Sequence, residues 1–546
     1  MTLVRVQGRP EVVEADVCII GSGISAAMVA EKLVDERQAK IVVVEAGDDT
    51  VPLNERAAHR ARFIAYGENP WGRDHIDGMT ADGIQSRSMQ VGGLAMHWGG
   101  VTPRFSPEDF RVRSMYGVGH DWPLSYEELE PFYHEAEVRI GVAGEQGPAE
   151  MDPRSKPFPM PALPLTYNLA LLKRWTDSAG IAMWSQPSAK NSVPYGGRPV
   201  CCRNDTCSIC PVGAKYSPDF TWNKLRAAKQ VELIPRTLVR RLVVDDGSTR
   251  IVRAEAVRRD RGGAAVHFRA KTFVVAAGYA WSSHLLLLSR SSRFPNGVAN
   301  RSGTVGKYMT GHRNVSAFVK LPMELYPGMN EQHSLVTKQF MRPGKLDKYV
   351  RHDLRVWESS VGRRPRLKSD DGGVLLGDEL MADWRRRAKE GTARVRAYYD
   401  VIPDRESALT LDTSATNEYG DPRPKLTFRD SPESVALRGH TEDSIKALFQ
   451  RMARAGNGEI IRTTVDDFQD HPGGGCRMGE DPATSVVNSY GRSYDHENLF
   501  VVGAPTSVSG GCANGTLTFI AVALRQAAEI GKEFGGKRQA GPGIRD

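Results

Sequence analysis

The run Asp16-Val-Cys-Ile-Ile20 leads directly into Gly21-Ser-Gly23-Ile-Ser-Ala26. A short unbroken apolar run followed by glycines reads as a buried parallel strand entering a tight turn. Ala26 to Leu33 then reads as a helix, and Lys40-Ile-Val-Val-Val-Glu45 as a second strand. Strand, turn, helix and strand form a βαβ unit, because parallel neighbours need a crossover. In such a unit Gly21 permits the tight turn, Gly23 admits a ligand's phosphates to the backbone, and Ala26 allows close helix packing. Glu45, ending the second strand, is placed to hydrogen-bond an adenosine ribose. A glycine turn that binds nothing is the alternative, and strand context with Glu45 weighs against it. The pattern does not separate FAD from a nicotinamide nucleotide.

Two later segments look like further buried strands, Thr272-Phe-Val-Val-Ala-Ala277-Gly278 and Asn498-Leu-Phe-Val-Val-Gly503. They lie far from the first unit, so a nucleotide-binding domain is assembled from separated pieces. The 546 residues exceed what one ordinary core holds. Between the pieces, Val315 to Ala453 alternates strand-like runs with turns, as in Ala408-Leu-Thr-Leu-Asp412 and Lys425-Leu-Thr-Phe-Arg429. The expected fold class is α/β. A discontinuous Rossmann-like dinucleotide-binding domain, an FAD-binding domain on the flavin reading, covers 1–314 and 454–546, with interwoven substrate-domain segments. An α+β substrate domain with an antiparallel sheet has its main part at 315–453. No repeats and no clear linker are visible.

The net charge of +8 is mild for this length. Basic residues cluster locally, at Arg363-Arg-Pro-Arg-Leu-Lys368 and Arg385-Arg-Arg-Ala-Lys389, without the aromatic interleaving of a nucleic-acid site. No apolar run is long enough to cross a bilayer, and the first residues lack an apolar leader segment. These features lead to the expectation of a cytoplasmic protein without nucleic-acid or membrane partners. The Gly535–Asp546 tail reads as disordered.

The segments that carry chemistry follow. Val91-Gly92-Gly93-Leu-Ala-Met-His97-Trp98-Gly99-Gly100 can lie along a planar ring with backbone N–H groups exposed, although His97 and Trp98 could equally be a packed pair. Near the end of the chain stand His471-Pro-Gly-Gly-Gly-Cys-Arg-Met-Gly479 and Gly511-Cys-Ala-Asn514-Gly-Thr516-Leu-Thr518. Each sets one chemically able side chain among small residues. Hydride leaves an alcohol carbon only as the hydroxyl proton departs, so a base must reach that proton. His471 fits, since imidazole titrates near working pH. An amide such as Asn514 can hold the developing alkoxide without competing for the proton. Asn514 also reads as an N-cap for a helix beginning at the following Gly-Thr-Leu-Thr.

Together these residues resemble the glucose–methanol–choline (GMC) oxidoreductases, from Asp16 to about Glu533. The islands of resemblance include Val-Gly-Lys-Tyr-Met-Thr-Gly-His312 alongside the segments already quoted. Within the family the chain looks most like the pyranose-oxidase branch, because of His97-Trp98 and of Asn514 where many relatives carry a second His. The resemblance implies FAD, with His471 as catalytic base and Asn514 orienting the substrate oxygen. The candidate cofactor contacts are Gly21, Ser22, Gly23, Ile24, Ser25, Glu45, Ala46, Gly92, Gly93, His97, Trp98, Gly99, Gly100, Val239, Ala277, Gly503, Ala504 and Thr516. His97 aligns with the residue that is covalently attached to the flavin in fungal pyranose oxidases. Ala95-Met96 and Gly99 depart from that pattern, so non-covalent FAD is the favoured reading.

Cys201, Cys202, Cys207 and Cys210 stand close enough to ligate zinc or an iron–sulfur cluster. Packed free thiols are favoured over a metal or a local disulfide, because the spacing is tighter than the family's clusters and no zinc-finger His follows. Cys18, Cys476 and Cys512 read as packing residues. The expected activity is oxidation of a secondary hydroxyl, at carbon 2 or 3, of a pyranose or glycoside, with oxygen or a quinone as acceptor. A non-sugar alcohol such as a sterol or choline-like substrate, or a sugar dehydrogenase with an iron–sulfur relay, is the alternative. A flavin-binding protein without catalysis is a third reading, opposed by His471 and Asn514 together.

Overall fold

A computed structural model describes residues 10–66, 88–203, 207, 210–326, 333–341, 350–359, 365–369 and 371–535. The tail from 536 onward and Arg363 and Arg364 lie outside them.

Strand β1 (Glu11–Ile20) pairs in parallel with β2 (Ile41–Val44), and the helix Ile24–Glu36 crosses between them. The apolar half of β1 is fully buried and sits where its sequence predicts. The strand also extends back to Glu11, pairing with residues 266–270; this half-exposed extension carries no apolar run to announce it. Two short strands, β3 (Ala143–Gly144) and β4 (Met160–Pro161), pair with each other, and β5 (Trp184–Ser185) belongs to a sheet described below. The first sheet is completed by β6 (Val231–Ile234), β7 (Thr237–Val244), β8 (Ile251–Arg258), β9 (Ala264–Val275) and β17 (Leu499–Val501). Its order is β6-β2-β1-β9-β8-β7, with β17 parallel to β9. The central parallel segments, β2, β17 and the C-terminal ends of β1 and β9, are buried on both faces, as crossover helices require. The helix Thr516–Gly531, buried nearly all round, packs on Ile24–Glu36, and both belong to the larger hydrophobic core.

The second sheet is antiparallel throughout. It contains β10 (Thr310–Leu321), β11 (Leu335–Thr337), β12 (Leu354–Glu358), β13 (Gly391–Asp400) and β16 (Glu459–Gly473), in the order β16-β10-β13-β12-β11-β5. Alternation divides its two faces. Val315, Ala317 and Val319 of β10, Val395 and Ala397 of β13, and Leu354 and Val356 of β12 point one way. They pack against Leu169, Leu172 and Trp175 of the helix Tyr167–Ser178 and Ile445, Phe449 and Met452 of the helix Pro432–Ala455. Burying each large side chain in this layer contributes about 1.5–3 kcal/mol. Both helices start at a hydroxyl cap: Thr166 accepts from the Leu169 N–H, and Ser431 from the Ser434 N–H. With the apolar face fixed on the helices, His312, Asn314, Ser316, Arg394, Arg396 and Tyr398 fall on the opposite face.

The two runs read as strands near 408 and 425 do pair, as β14 (Ala408–Thr416) and β15 (Pro422–Thr427). They form a separate ribbon whose Leu409 and Leu426 pack on Tyr279 and Met309. Alternation identifies a strand but does not say which sheet it joins.

Candidate active site

The glycine turn does what its spacing requires. Gly21 has φ of +96°, and its N–H donates to the Val44 carbonyl at 2.8 Å. A Cβ there would lie 2.7 Å from the Ala276 carbonyl oxygen, so backbone crowding as well as φ demands glycine. Gly23 is the N-cap of the helix beginning at Ile24; no side chain caps it, and a Cβ added there would meet nothing within 4 Å. The helix N-terminus therefore presents N–H groups beside open space, the arrangement that holds a phosphate. Glu45 is buried and accepts from Ser22 N at 3.0 Å, Ser22 Oγ at 2.6 Å and Gly47 N at 2.8 Å. Burial raises its pKa, and those three donors oppose the shift.

The Gly92–Trp98 loop lies over this turn. Gly92 N donates to Ser22 Oγ at 3.2 Å, and a Cβ on Gly93 would sit 3.4 Å from Gly23 Cα. Lys215 holds the loop from beneath, its Nζ donating to the Met96 carbonyl at 3.1 Å and the Trp98 carbonyl at 2.8 Å. Burial lowers the Lys215 pKa to about 8. The Trp98 indole donates to the Tyr216 carbonyl at 2.8 Å. His97 is buried, with Nε2 2.6 Å from Gln90 Nε2. Ala46 accepts from Arg259 at 2.8 Å, Gly100 from the Ala189 N–H at 2.7 Å, and Val239 is buried in β7. Ala277 precedes the helix Gly278–Leu288 as its N-cap.

The end of β16 and the start of the last helix bring His471 and Asn514 together. His471 has φ of +50°, a left-handed turn that swings its ring off the strand. Its Nε2 lies 2.6 Å from Asn514 Nδ2 and its Nδ1 2.8 Å from His312 Nε2. The chain beyond His471 is held by the Gly474 N–H donating to the Ala504 carbonyl at 3.0 Å. Gly503 and Ala504 thus link the end of the first sheet to this turn. The expected cap role for Asn514 is corrected: Gly515 is the N-cap, Thr516 the first helical residue, and no side chain caps the helix. The Asn514 amide goes to His471 instead, and its Oδ1 is buried without a partner.

The hydrogen bonds order the protons. An amide NH2 only donates, so His471 Nε2 is the acceptor and the ring proton sits on Nδ1, donated to His312. His312 is fully buried. Burial, followed by the positive charges of Arg355 and Arg396, lowers the His471 pKa to about 3. Burial, followed by His471 itself, lowers His312 well below the ordinary histidine value. Both rings are neutral near pH 7, and His471 Nε2 carries a lone pair able to take a proton.

The structure also brings in residues not singled out from the sequence. Tyr398 packs tilted against His312 at 4.4 Å between centroids and meets His471 edge-on at 6.0 Å. Arg355, Arg394 and Arg396 share that face of the sheet. Their signal is the alternation Arg394-Val-Arg396-Ala-Tyr398, whose apolar members face the second core. No disulfide joins any of the seven cysteines; Cys207 is buried and Cys210 half-buried. Residues 204–206 and 208–209 between them are outside the described chain.

Two GMC oxidoreductase family models match, over residues 195–313 and 403–523. The large subunit of a fructose dehydrogenase from Gluconobacter japonicus is 31% identical over 95% of this chain and 98% of its own. The chain belongs to the GMC oxidoreductase family. A 6'''-hydroxyparomomycin C oxidase of Streptomyces lividus is 28% identical over 96% of the chain and 93% of its own. Among solved structures, a pyridoxine 4-oxidase from Mesorbium loti superposes with a TM-score of 0.62 at 17% identity, covering 94% of this GMC oxidoreductase and 98% of that chain. A formate oxidase of Aspergillus oryzae, in a variant made to follow FAD modification, gives 0.62 at 13% identity over 96% and 99%. The mixed α/β fold expected from the sequence is the fold of these proteins.

Proposed function

We propose that this enzyme uses FAD to oxidise an alcohol of a sugar or related polyol, removing the hydroxyl proton with His471. The observation that carries the reading is the neutral His471, its Nε2 lone pair held beside the Asn514 amide whose Oδ1 has no partner. A buried acceptor left unsatisfied costs about 1–3 kcal/mol, and a substrate hydroxyl placed there would relieve it.

The residues fit the cofactor. The uncapped helix at Gly23 would take the pyrophosphate, and Glu45 the ribose in place of Ser22. The Gly92–Trp98 loop, pinned by Lys215, would lie along the ring system. His97 already faces Gln90 and is buried, and we read it as a packing contact to FAD rather than a covalent link. When bound, FAD supplies the hydride acceptor.

The chain's own groups do the rest. The substrate hydroxyl replaces the Asn514 N–H at His471 Nε2, and the proton moves to that nitrogen as hydride leaves carbon. Asn514 donates to the oxygen as charge develops on it. His312 keeps the other ring proton on Nδ1. The named activities of the relatives, on fructose and on an aminoglycoside, support a polyhydroxy substrate. A secondary hydroxyl at carbon 2 or 3 of a pyranose or glycoside remains our finer reading, with a quinone or dye as faster acceptor than oxygen. Relatives also include a cholesterol oxidase of Mycobacterium tuberculosis, 24% identical over 94% of this chain. The arginines and amides opposite His471 favour a polar substrate over a sterol. We assign the seven-stranded sheet to cofactor binding and the polar face of the six-stranded sheet to substrate.

The test is anaerobic mixing of the yellow protein with a panel of sugars, glycosides and simple alcohols. Polyhydroxy compounds should bleach the flavin absorbance. His471→Ala should keep FAD and reduce it about 10²–10⁴-fold more slowly. Bleaching of the variant at the wild-type rate would remove His471 from the chemistry.

A further inference from the structure

We infer that the polar face of the six-stranded sheet binds an oxyanion, so that the preferred substrate is a polyol bearing a carboxylate or a phosphate. The inference deepens the alcohol-oxidation reading and rests on His471 being its centre.

In the sheet register Arg396 lies directly opposite Ser316 on one side and Arg355 on the other, and Arg394 follows two residues away on the same face. Side chains directly opposite are about 5 Å apart at Cβ, and like charges there are destabilising. Three guanidiniums on one small patch therefore need compensation. Arg355 has it, pairing with Asp353 at 2.8 Å. Arg394 and Arg396 make no ion pair with any described residue. Their polar partners are neutral: Ser316 Oγ accepts from Arg394 at 3.3 Å and from Arg396 at 3.2 Å, and Tyr398 OH accepts from Arg396 at 2.9 Å. Arg394 Nε is buried with no hydrogen-bond partner. Each guanidinium has five donors, so most of those on Arg394 and Arg396 are unspent.

Aromatic rings fix these forks in place. Arg394 and Arg396 lie 5.2 and 5.4 Å from the Trp357 ring, and Arg355 and Arg396 lie 4.9 and 5.5 Å from that of Tyr398. Stacking on a ring face holds the plane of a guanidinium and leaves its N–H edge available for a planar or tetrahedral oxyanion. It does not cancel the repulsion from Arg396 and Arg462, which lowers the Arg394 pKa after burial has done so, with Tyr398 and Asp466 opposing it. An anion received between Arg394 and Arg396 would.

The patch and the base belong to one site. Tyr398 touches both, meeting the His471 ring edge-on while its hydroxyl oxygen accepts from Arg396. One side chain thus separates the proton acceptor from the first guanidinium, a separation suited to a charged group a few carbons from the reacting hydroxyl.

The test is calorimetric titration of the oxidised holoenzyme with D-glucuronate, glucose 6-phosphate and methyl glucoside, at low and high salt, with flavin reduction followed in parallel. One of the two anions should bind at least about tenfold more tightly than the neutral glycoside, and its advantage should shrink with salt. Which anion wins distinguishes carboxylate from phosphate. Arg396→Gln and Arg394→Gln should each cut the anion-to-neutral preference by about tenfold to a hundredfold, the range of a charge-assisted hydrogen bond, and Arg396→Lys should restore part of it. Equal binding of anions and neutral glycoside by the wild type, or an unchanged preference in both Gln variants, would overturn the inference. Bleaching by neutral polyols without anion preference would do so while leaving alcohol oxidation standing. Tight anion binding with no bleaching by any alcohol would do the reverse.

Discussion

Replacing His312 offers the sharpest test of how the base is prepared. His471 can accept a proton at Nε2 only while its ring proton stays on Nδ1, and His312 Nε2, at 2.8 Å, is the acceptor that keeps it there. His312→Phe removes that acceptor and preserves a flat ring beside Tyr398. The Nδ1–H would then be buried without a partner, at a cost of about 1–3 kcal/mol. That cost favours the other tautomer, whose Nε2 bears the proton and cannot serve as base. At about 1.4 kcal/mol for each factor of ten, flavin reduction should slow by about 5- to 150-fold. The assay is anaerobic stopped-flow at saturating substrate, on protein whose yellow colour confirms bound FAD. His312→Gln supplies an amide oxygen in place of the imidazole nitrogen, and should recover most of the loss. His312→Phe with wild-type reduction would refute the tautomer argument. Equal losses in the Phe and Gln variants would assign the effect to packing around Tyr398 instead.

Two further outcomes are expected. Gly21→Ala places a Cβ 2.7 Å from the Ala276 carbonyl at φ of +96°, so the variant should purify with little or no FAD, and an FAD content equal to wild type would contradict the assignment of the turn. Because burial and then Arg355 and Arg396 hold the His471 pKa at about 3, its neutral, active form persists as pH falls and is lost only near that value. The kcat/KM for a neutral polyol should therefore show no acid limb from His471 between about pH 5 and 8, and a limb at the ordinary histidine value of about 6.5 would count against the half-buried, arginine-flanked base.

Much of the fold was legible because its signals were local. The apolar run ending at Ile20, the glycines after it and Glu45 describe one contiguous unit, and the structure repeats that unit with shifts only at its frayed or half-exposed ends. The pairing of β9 and β17 with that unit joins residues more than two hundred positions apart. The sequence displayed these strands as apolar runs but held no local signal for their order. The β14–β15 ribbon marks the same limit: its alternation was visible, and its separation from the six-stranded sheet depends on tertiary packing around Tyr279 and Met309.

The site divides along similar lines. His471 and Asn514 stood out because each is a functional side chain among small residues, and glycines there permit the positive φ and close backbone approach that bring them within 2.6 Å. His312 was visible only as part of a family island, since a histidine on a buried strand looks like any packed residue until its neighbour is known. The arginines were hidden differently. Arg394-Val-Arg396-Ala-Tyr398 alternates as any half-exposed strand does, and such a strand usually turns its charges to water. Here the apolar side is taken by two helices, so the charged side must face inward, toward the turn that bears His471. The alternation fixes which residues share a face; the helices of the second core decide that this face lines the site.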